Sequence, residues 1–253
     1  MKLGIVSCYF INNYGSILQA YALQEYLSAR GIECDTISVE ELKPYLNAKK
    51  RQYYFHNIHK LGLLASKLPV IYLKVLQKIN YRNLGQMYGE RVRSFDDFRK
   101  NFNLSNESAA SPEQLTDLSA MYDMLVLGSD QLWRPDNIFP EYYTLSWAPD
   151  NIPKVSYATS FGVSELDGHY KSRAKAFLNR FSAISVRESS GQHLVKELTG
   201  KVPCLVCDPV FLLTKDQWNT LSDTSLCPNK KYIFTYFLGE GRECRKFAER
   251  LSA

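Results

Sequence analysis

The sequence predicts an α/β protein built on a Rossmann-like, doubly wound parallel sheet with helices on both faces. Three observations predict it: a strand, turn, helix and strand at the N-terminus, the same rhythm again after residue 122, and an ordinary composition of 45% hydrophobic and 23% charged residues. At 253 residues the chain is long enough for one large domain and part of another. It contains no apolar run of membrane-spanning length and no signal-peptide pattern, so we expect a cytoplasmic protein.

The N-terminal unit is the clearest part of this pattern. The apolar run Leu3–Tyr9 predicts the first strand. Ser16 is expected to cap a helix that runs to about Arg30, where Gly31 supplies a left-handed stop. Ile32–Val39 then predicts the second strand. A strand, a helix and a strand in this order form a parallel pair with a right-handed crossover.

The same alternation returns in the second half of the chain. It predicts strands at Asp123–Leu127, Val155–Thr159, Ala183–Val186 and Val202–Cys207, and helices near Gly168–Arg180 and Ser190–Leu198. Beyond Pro228, it predicts a further strand at Lys231–Leu238 and a helix at Arg242–Leu251. One strand and one helix cannot bury their own apolar faces. We therefore expect a first domain over residues 1–228 and, over 229–253, the first βα unit of a truncated second domain.

The segment from about residue 43 to 104 differs from the rest of the chain in charge. It holds thirteen lysines and arginines against three acidic residues, a formal charge of +10, whereas the whole chain carries +5. Leucines and isoleucines recur in it at helical spacing, which predicts a basic, amphipathic helical insert. Two interpretations stay open: a solvated helical hairpin, or a peripheral contact with an anionic membrane surface or lipid-linked glycan. We expect no nucleic-acid partner, because no known binding module or aromatic stacking platform is evident.

The six cysteines predict free thiols, because they are scattered along a long chain without a secretory signal. Cys204 and Cys207 have the spacing of redox and zinc pairs, yet both fall in a predicted strand, where side-chain alternation sends the two sulfurs to opposite faces. His56 and His59 have no further metal ligands nearby in the sequence. We therefore predict no metal site.

Polar residues follow the carboxyl ends of the predicted strands, the edge at which open α/β sheets bind ligands. Asn13, Gly15 and Ser16 lie where the first strand turns into its helix. Glycine permits close backbone approach there, and the Ser16 amide can point at an anion or a sugar oxygen. The alternative is a tight turn with a serine cap.

The loop after the strand at Asp123–Leu127 combines a hydroxyl, a carboxylate and an amide. Ser129, Asp130 and Gln131 carry side chains of the types that commonly bind sugar hydroxyls. Asp130 can also accept a proton as a general base. Trp133 offers a ring face on which a sugar can stack. The alternatives are that Asp130 caps a turn and that Trp133 belongs to the core.

Arg187 follows the strand Ala183–Val186. A guanidinium at a strand end can pair bidentately with a carboxylate or a phosphate. The alternative is a structural ion pair with Glu188 or Asp208. The sequence therefore predicts an anion-binding role for Arg187 and leaves the structural one open.

Five blocks, in order along the chain, together resemble the polysaccharide pyruvyl transferase family. They are NNYGS at 12–16 with the LQAYAL helix after it, LGSDQLW at 127–133, SYATSFG at 156–162, ISVRESSG at 184–191 and CDPVFLL at 207–213. Each block alone is a weak signal, whereas five in order are specific. The resemblance implies a fold similar to GT-B transferases, with the active site between two Rossmann-like halves.

The resemblance also implies a reaction: a pyruvyl group passes from phosphoenolpyruvate to a sugar of a surface polysaccharide or its precursor, forming a cyclic ketal without a cofactor. On this view, the catalytic base is Asp130, the donor-binding residues are Arg187, Asn13, Gly15 and Ser16, and the acceptor-binding residues are Ser129, Gln131, Trp133 and Ser160. The family's Arg-x-His segment is absent from the sequence, so we expect this chain to be incomplete for catalysis. Two other functions stay open: a nucleotide-sugar glycosyltransferase of the GT-B type and a non-catalytic glycan-binding domain.

Overall fold

The computed structural model describes residues 1–57, 83–236 and 241–252, without the side chains of residues 83–88 and 226. Two compact units divide the chain, Met1–Leu213 and Thr214–Ala253. The first unit contains the sheet and most of the helices. No helix in the described ranges is both long enough and apolar enough to cross a membrane.

Within the described residues, the first unit is a sheet of seven strands. They are β1 (Lys2–Val6), β2 (Glu33–Ser38), β3 (Leu104–Ser108), β4 (Met124–Asp130), β5 (Lys154–Thr159), β6 (Ala183–Val186) and β7 (Cys204–Leu205). All neighbouring pairs are parallel, in the order β3-β2-β1-β4-β5-β6-β7. The chain thus winds outward from β1 in one direction and from β4 in the other. The predicted doubly wound parallel sheet is confirmed.

In the first unit, helices connect the strands and flank the sheet. They are α1 (Tyr14–Ser28), α2 (Lys43–His56), α3 (Asn83–Arg99), α4 (Pro112–Ser119), α5 (Pro135–Ile138), α6 (Gly168–Asn179) and α7 (Ser189–Thr199), with α8 (Lys215–Asn219) and α9 (Arg242–Ser252) in the second unit. Single 3-10 turns lie at Tyr142–Thr144, Pro209–Phe211 and Thr224–Leu226.

The central strands β1 and β4 are buried on both faces. Five consecutive residues of β4 are buried, which is the pattern of a strand covered by helices on either side. On one face, Leu23 of α1 packs with Leu3, Ile5 and Val126. Fully burying one such side chain contributes about 1.5–3 kcal/mol, so the core anchors the strand ends that carry the polar residues.

Helix α1 begins differently from the expectation. Asn13, and not Ser16, is the cap, because its Oδ1 accepts a hydrogen bond of 3.1 Å from the Ser16 amide. The other end agrees with the prediction, since Gly31 has a φ of +72°, a conformation that glycine adopts without a Cβ penalty.

The basic segment over residues 43–104 contains α2 and α3. Most leucines and isoleucines of its amphipathic pattern fall between residues 58 and 82, outside the described residues. Strand β3 begins at the end of this segment and was not predicted. Its sequence, LSNES, is mostly polar because β3 lies at the edge of the sheet, so it lacks the apolar alternation that marks a strand.

Two predicted strands near the C-terminus differ from the structure. β7 is limited to Cys204–Leu205, and both Cys204 and Cys207 are exposed free thiols. The strand predicted at Lys231–Leu238 is wrong for its described part, since residues 231–236 have no regular structure and are exposed. The helix predicted over Arg242–Leu251 is confirmed as α9.

Candidate functional site

A cleft of about 390 Å³ opens where β1 and β4 end. Strand order reverses between these two strands, and the crevice at such a switch point is where open α/β sheets bind ligands. The cleft is lined by Cys8, Ile11, Asn13, Ser16, Lys50, Asp130, Gln131, Leu132, Arg134, Asp136, Asn137 and Tyr143. The cleft is therefore lined both by residues that the sequence predicted for the site and by residues that it did not.

The end of β4 has a backbone that few sequences permit. A Cβ on Gly128 would lie 2.2 Å from the Tyr157 carbonyl oxygen of β5, so only glycine fits at this close approach. Asp130 has a φ of +88°, which is uncommon for a residue with a side chain and is found preferentially at functional sites. This conformation ends the strand with a carboxylate on the cleft wall.

The Asp130 carboxylate accepts four hydrogen bonds. Its Oδ2 accepts from the Ser16 hydroxyl at 2.6 Å and from the Cys8 thiol at 3.4 Å. Its Oδ1 accepts from the Gln131 amide at 2.8 Å and from Arg187 Nη2 at 3.1 Å. A carboxylate has about four acceptor positions. The donors come from the ends of β1, α1, β4 and β6, so this one side chain ties four elements of the site together.

Cys8 lines the cleft, although its side chain is almost completely buried. Burial and, after it, the negative charge of Asp130 hold the pKa of the Cys8 thiol well above its ordinary value. The thiol is therefore protonated at neutral pH and acts as a donor to Asp130.

Gln19 supports the same arrangement from inside the protein. Its side chain is buried, and its Oε1 accepts from the Ser129 amide at 2.7 Å. Its Nε2 donates to the Ser16 carbonyl at 2.7 Å and to Cys8 Sγ at 3.5 Å. One amide thus connects the ends of β1, α1 and β4. Gln19 belongs to the first of the five sequence blocks, but its position inside a helix gave no signal for this role.

Arg187 lies among three carboxylates. We call these four residues, Arg187, Asp130, Glu188 and Asp208, the ion-pair cluster. Its guanidinium contacts Asp208 at 2.7 Å, Asp130 at 3.1 Å and Glu188 at 3.8 Å. Burial alone lowers the pKa of Arg187, but its hydrogen bond to Asp208 and the charges of all three acids together raise it. The cluster carries three formal negative charges against one positive. Arg187 is not among the residues that line the cleft, and its pairs with Glu188 and Asp208 are those of the structural alternative.

Positive charge on the cleft itself comes from Lys50 and Arg134. Arg134 Nε lies 3.1 Å from Asp136 Oδ1, and the Tyr54 hydroxyl donates to Asp136 Oδ2 at 3.1 Å. Burial and the neighbouring Asp136 charge raise the pKa of Tyr54 to about 12. Arg134 directly follows the second block, whereas Lys50 lies in the basic segment, where nothing in the sequence distinguishes it from its neighbours.

Three predicted acceptor-binding residues are inaccessible. Trp133 is fully buried, with its ring 5.1 Å from that of Phe161, and its Nε1 donates to a backbone carbonyl. Ser129 is fully buried and donates to the Ala158 carbonyl at 2.7 Å. Ser160 is 1% exposed and donates to Glu188. The prediction that these side chains contact a sugar is wrong, because each is used inside the protein.

The remaining predicted residues divide into two groups. Asn13, Ser16, Asp130 and Gln131 all line the cleft. Gly15 is exposed but does not line it, and the Ser16 amide donates to Asn13. The expectation that this amide faces a ligand is therefore wrong. Across the described residues, no group of three or more His, Cys, Asp and Glu side chains is arranged to hold a metal ion.

The comparisons with known proteins agree with the sequence blocks. No curated protein and no solved structure matches the chain. The family model described as polysaccharide pyruvyl transferase matches residues 13–243, which include the whole cleft wall from Asn13 onward and the ion-pair cluster. With most of its length covered by that match and its polar residues gathered at the switch point, the chain belongs to the polysaccharide pyruvyl transferase family.

Proposed function

We propose, against the expectation of incomplete catalysis drawn from the missing Arg-x-His segment, that the chain transfers a pyruvyl group from phosphoenolpyruvate to a sugar of a surface polysaccharide or its precursor, forming a cyclic ketal. The observation that carries the proposal is that one cleft is lined by the carboxylate of Asp130 together with two cationic side chains, Lys50 and Arg134, the latter paired with a second carboxylate, Asp136. Asp130 lies on the wall, and Lys50 and Arg134 line the same cavity. Pyruvyl transfer needs such a combination, because a sugar hydroxyl must lose a proton next to a donor that carries several negative charges.

The reaction balances without any group beyond the two substrates. The methylene carbon of phosphoenolpyruvate gains a proton, and its neighbouring carbon becomes cationic. Two sugar hydroxyl oxygens bond to that carbon, and its bond to the phosphate oxygen breaks. Of the two hydroxyl protons, one balances the new methyl group and one leaves with the phosphate. No oxidant or reductant is consumed.

Asp130 is the proposed base for a sugar hydroxyl. Its four acceptor positions are occupied, and the thiol of Cys8 is the longest and weakest of the donors at 3.4 Å. A sugar hydroxyl that displaces this thiol donates to Oδ2 while Ser16 keeps its bond of 2.6 Å. The proposed role of Cys8 is therefore to hold the place of the acceptor hydroxyl.

We assign donor binding to the cations of the cleft instead of Arg187. Arg187 already faces three acids, and an anionic donor would be repelled by the charge that remains. We propose that Lys50 and Arg134 hold the donor, with Asn13 beside them. Arg187 instead positions Asp130. The basic segment over residues 43–104 suits a cytoplasmic protein that meets lipid-linked acceptors at the inner face of a membrane.

The test is to incubate the protein with phosphoenolpyruvate and candidate glycans, then measure phosphate release and the mass of the glycan. Pyruvyl transfer adds one ketal to the glycan for each phosphate released. Glycan modification that requires a nucleotide-sugar would instead indicate a glycosyltransferase, and binding without turnover of any donor would indicate a glycan-binding domain.

Charge-removing variants test the donor site. Lys50→Gln and Arg134→Gln are each expected to raise the KM for phosphoenolpyruvate about tenfold, the typical value of a charge-assisted hydrogen bond. Lys201→Gln is the matched control, because this exposed lysine precedes the edge strand β7 and does not line the cleft. Equal KM values in all three variants would contradict the assignment.

A further inference from the structure

The segment that joins β1 to α1 forms one wall of the cleft. Cys8, Ile11 and Asn13 of this segment line the cavity. Its backbone makes two internal turn bonds, from the Ile11 amide to Cys8 and from the Asn13 amide to Ile11, at 3.1 and 2.8 Å. These bonds do not use the carbonyls of residues 9, 10 and 12, and a short loop needs partners for such groups to hold one conformation.

Arg99, at the end of α3, supplies partners for most of these groups. Its Nε donates to the Tyr9 carbonyl at 3.3 Å, and its Nη2 donates to the Phe10 carbonyl at 2.9 Å. Nη2 also donates to Asn12 Oδ1, and Nη1 pairs with Asp96 at 2.5 Å. The guanidinium is a rigid planar fork with five donors, so its partners are fixed in position relative to one another.

Arg91, two turns earlier on α3, contacts the same loop. Its Nη2 donates to the Asn12 carbonyl at 3.2 Å, and its guanidinium lies 5.4 Å from the rings of both Tyr14 and Phe95. The Tyr14 and Phe95 rings are themselves 5.0 Å apart. Helix α3 therefore holds the loop from Tyr9 to the first residue of α1.

The contacts continue from α3 to the carboxylate of the cleft. Asn13 follows the clamped Asn12 and caps the Ser16 amide, and the Ser16 hydroxyl donates to Asp130 at 2.6 Å. Each step is a hydrogen bond or one peptide unit. The end of the basic segment is thus connected to the site by hydrogen bonds. Neither of the two interpretations of that segment, a solvated hairpin or a membrane contact, includes such a connection.

We infer that α3 is part of the site machinery and that Arg99 is a positioning residue for the cleft loop over residues 8–13. Arg99 touches no residue that acts on substrate directly. Its effect passes through Asn12, Asn13 and Ser16 to Asp130. Only the activity measurement described below rests on the proposed pyruvyl transfer.

Thiol alkylation followed by mass spectrometry tests the inference without any substrate. Cys8 starts the loop and Cys34 lies in β2, and both thiols are buried, so their rates of alkylation report local and distant opening. In Arg99→Gln, we expect Cys8 to react roughly ten- to a hundredfold faster, since hydrogen bonds from a charged donor are lost, whereas Cys34 keeps its rate. Arg93→Gln is the matched control, because Arg93 is exposed on the same helix. Arg99→Lys is expected to behave like Arg99→Gln, because an ammonium cannot reproduce the fork.

Unchanged Cys8 alkylation in Arg99→Gln would overturn the inference, and so would equal acceleration at Cys8 and Cys34, which would indicate general destabilisation. In the activity arm, Arg99→Gln should lower kcat more than it raises the KM for phosphoenolpyruvate, because Asp130 is misplaced while Lys50 and Arg134 remain. If the wild-type protein releases no phosphate, the proposed function fails, but the alkylation result still decides the role of Arg99.

Discussion

The ends of β1 and β4 differ from the ends of β6 and β7, although all four point to the same edge of the sheet. At β1 and β4, Asn13, Ser16 and Asp130 line an open cleft; we call this the open end. At β6 and β7, Arg187, Glu188 and Asp208 satisfy one another in the ion-pair cluster. A position at the carboxyl end of a strand is therefore not sufficient for a ligand site, because neighbouring loops can pair their charges with one another.

The largest expected effect is a loss of kcat on substitution of Asp130, which belongs both to the open end and to the ion-pair cluster. Asp130→Asn should lower kcat about 10²- to 10⁴-fold, the usual contribution of a general base, while the protein stays folded. Steady-state phosphate release measures kcat, and circular dichroism checks the fold. Asp208→Asn is the control, since Asp208 contacts Arg187 but does not line the cleft. An equal loss in both variants would remove the distinction between the open end and the ion-pair cluster.

Arg187→Met tests the ion-pair cluster, the other of the two regions compared. This change leaves three carboxylates facing one another without their cation, so the free energy of unfolding should fall by about 2–4 kcal/mol. Urea denaturation measures that free energy. The double variant Arg187→Met with Asp208→Asn should recover part of the loss, because it removes one of the unpaired charges. Unchanged stability together with weaker phosphoenolpyruvate binding would return Arg187 to the donor site.

The smallest expected effect distinguishes two neighbours in one sequence block. Gln131 is exposed on the cleft and accepts from Arg134 Nη1 at 3.3 Å, so Gln131→Ala should raise the KM for the acceptor a few-fold, about the value of one hydrogen bond. Trp133→Phe should instead lower the free energy of unfolding by about 1–3 kcal/mol and leave that KM unchanged. Acceptor titrations and urea denaturation of both variants provide the measurements. The reverse pattern would mean that Trp133 reaches the ligand.

Sequence periodicity predicted the sheet well because the central strands are strongly apolar. Ala183–Val186 agrees to the residue, and the strands on either side of it in the sheet were found within a few residues. Edge strand β3 was missed because polar residues suit an edge exposed to water. The site was harder to predict because periodicity identifies the end of a strand but not the direction of a side chain there. Trp133 and Ser160 follow strands and still turn inward.

The residues that sequence reasoning missed act through long-range contacts. Lys50 meets Asp130 on one cleft across 80 positions of the chain, and Arg99 meets Phe10 across 89. Neither pairing leaves a local pattern, since a lysine or arginine in a basic helix looks the same whether it faces water or a loop. The contact of Arg187 with Asp208 was instead named from the sequence as an alternative, and the pairing of β6 with β7 brings the two residues together.

The full set of hydrogen bonds on Asp130 has a consequence for substrate length. A carboxylate that exchanges one donor for another keeps the same number of bonds, so a single incoming hydroxyl adds little to the binding free energy. A lone monosaccharide is then expected to be a poor ligand, whatever its stereochemistry. If the proposed mechanism holds, the affinity has to come from sugar units or carrier groups further along the acceptor, and a longer glycan is expected to bind more tightly than a short one.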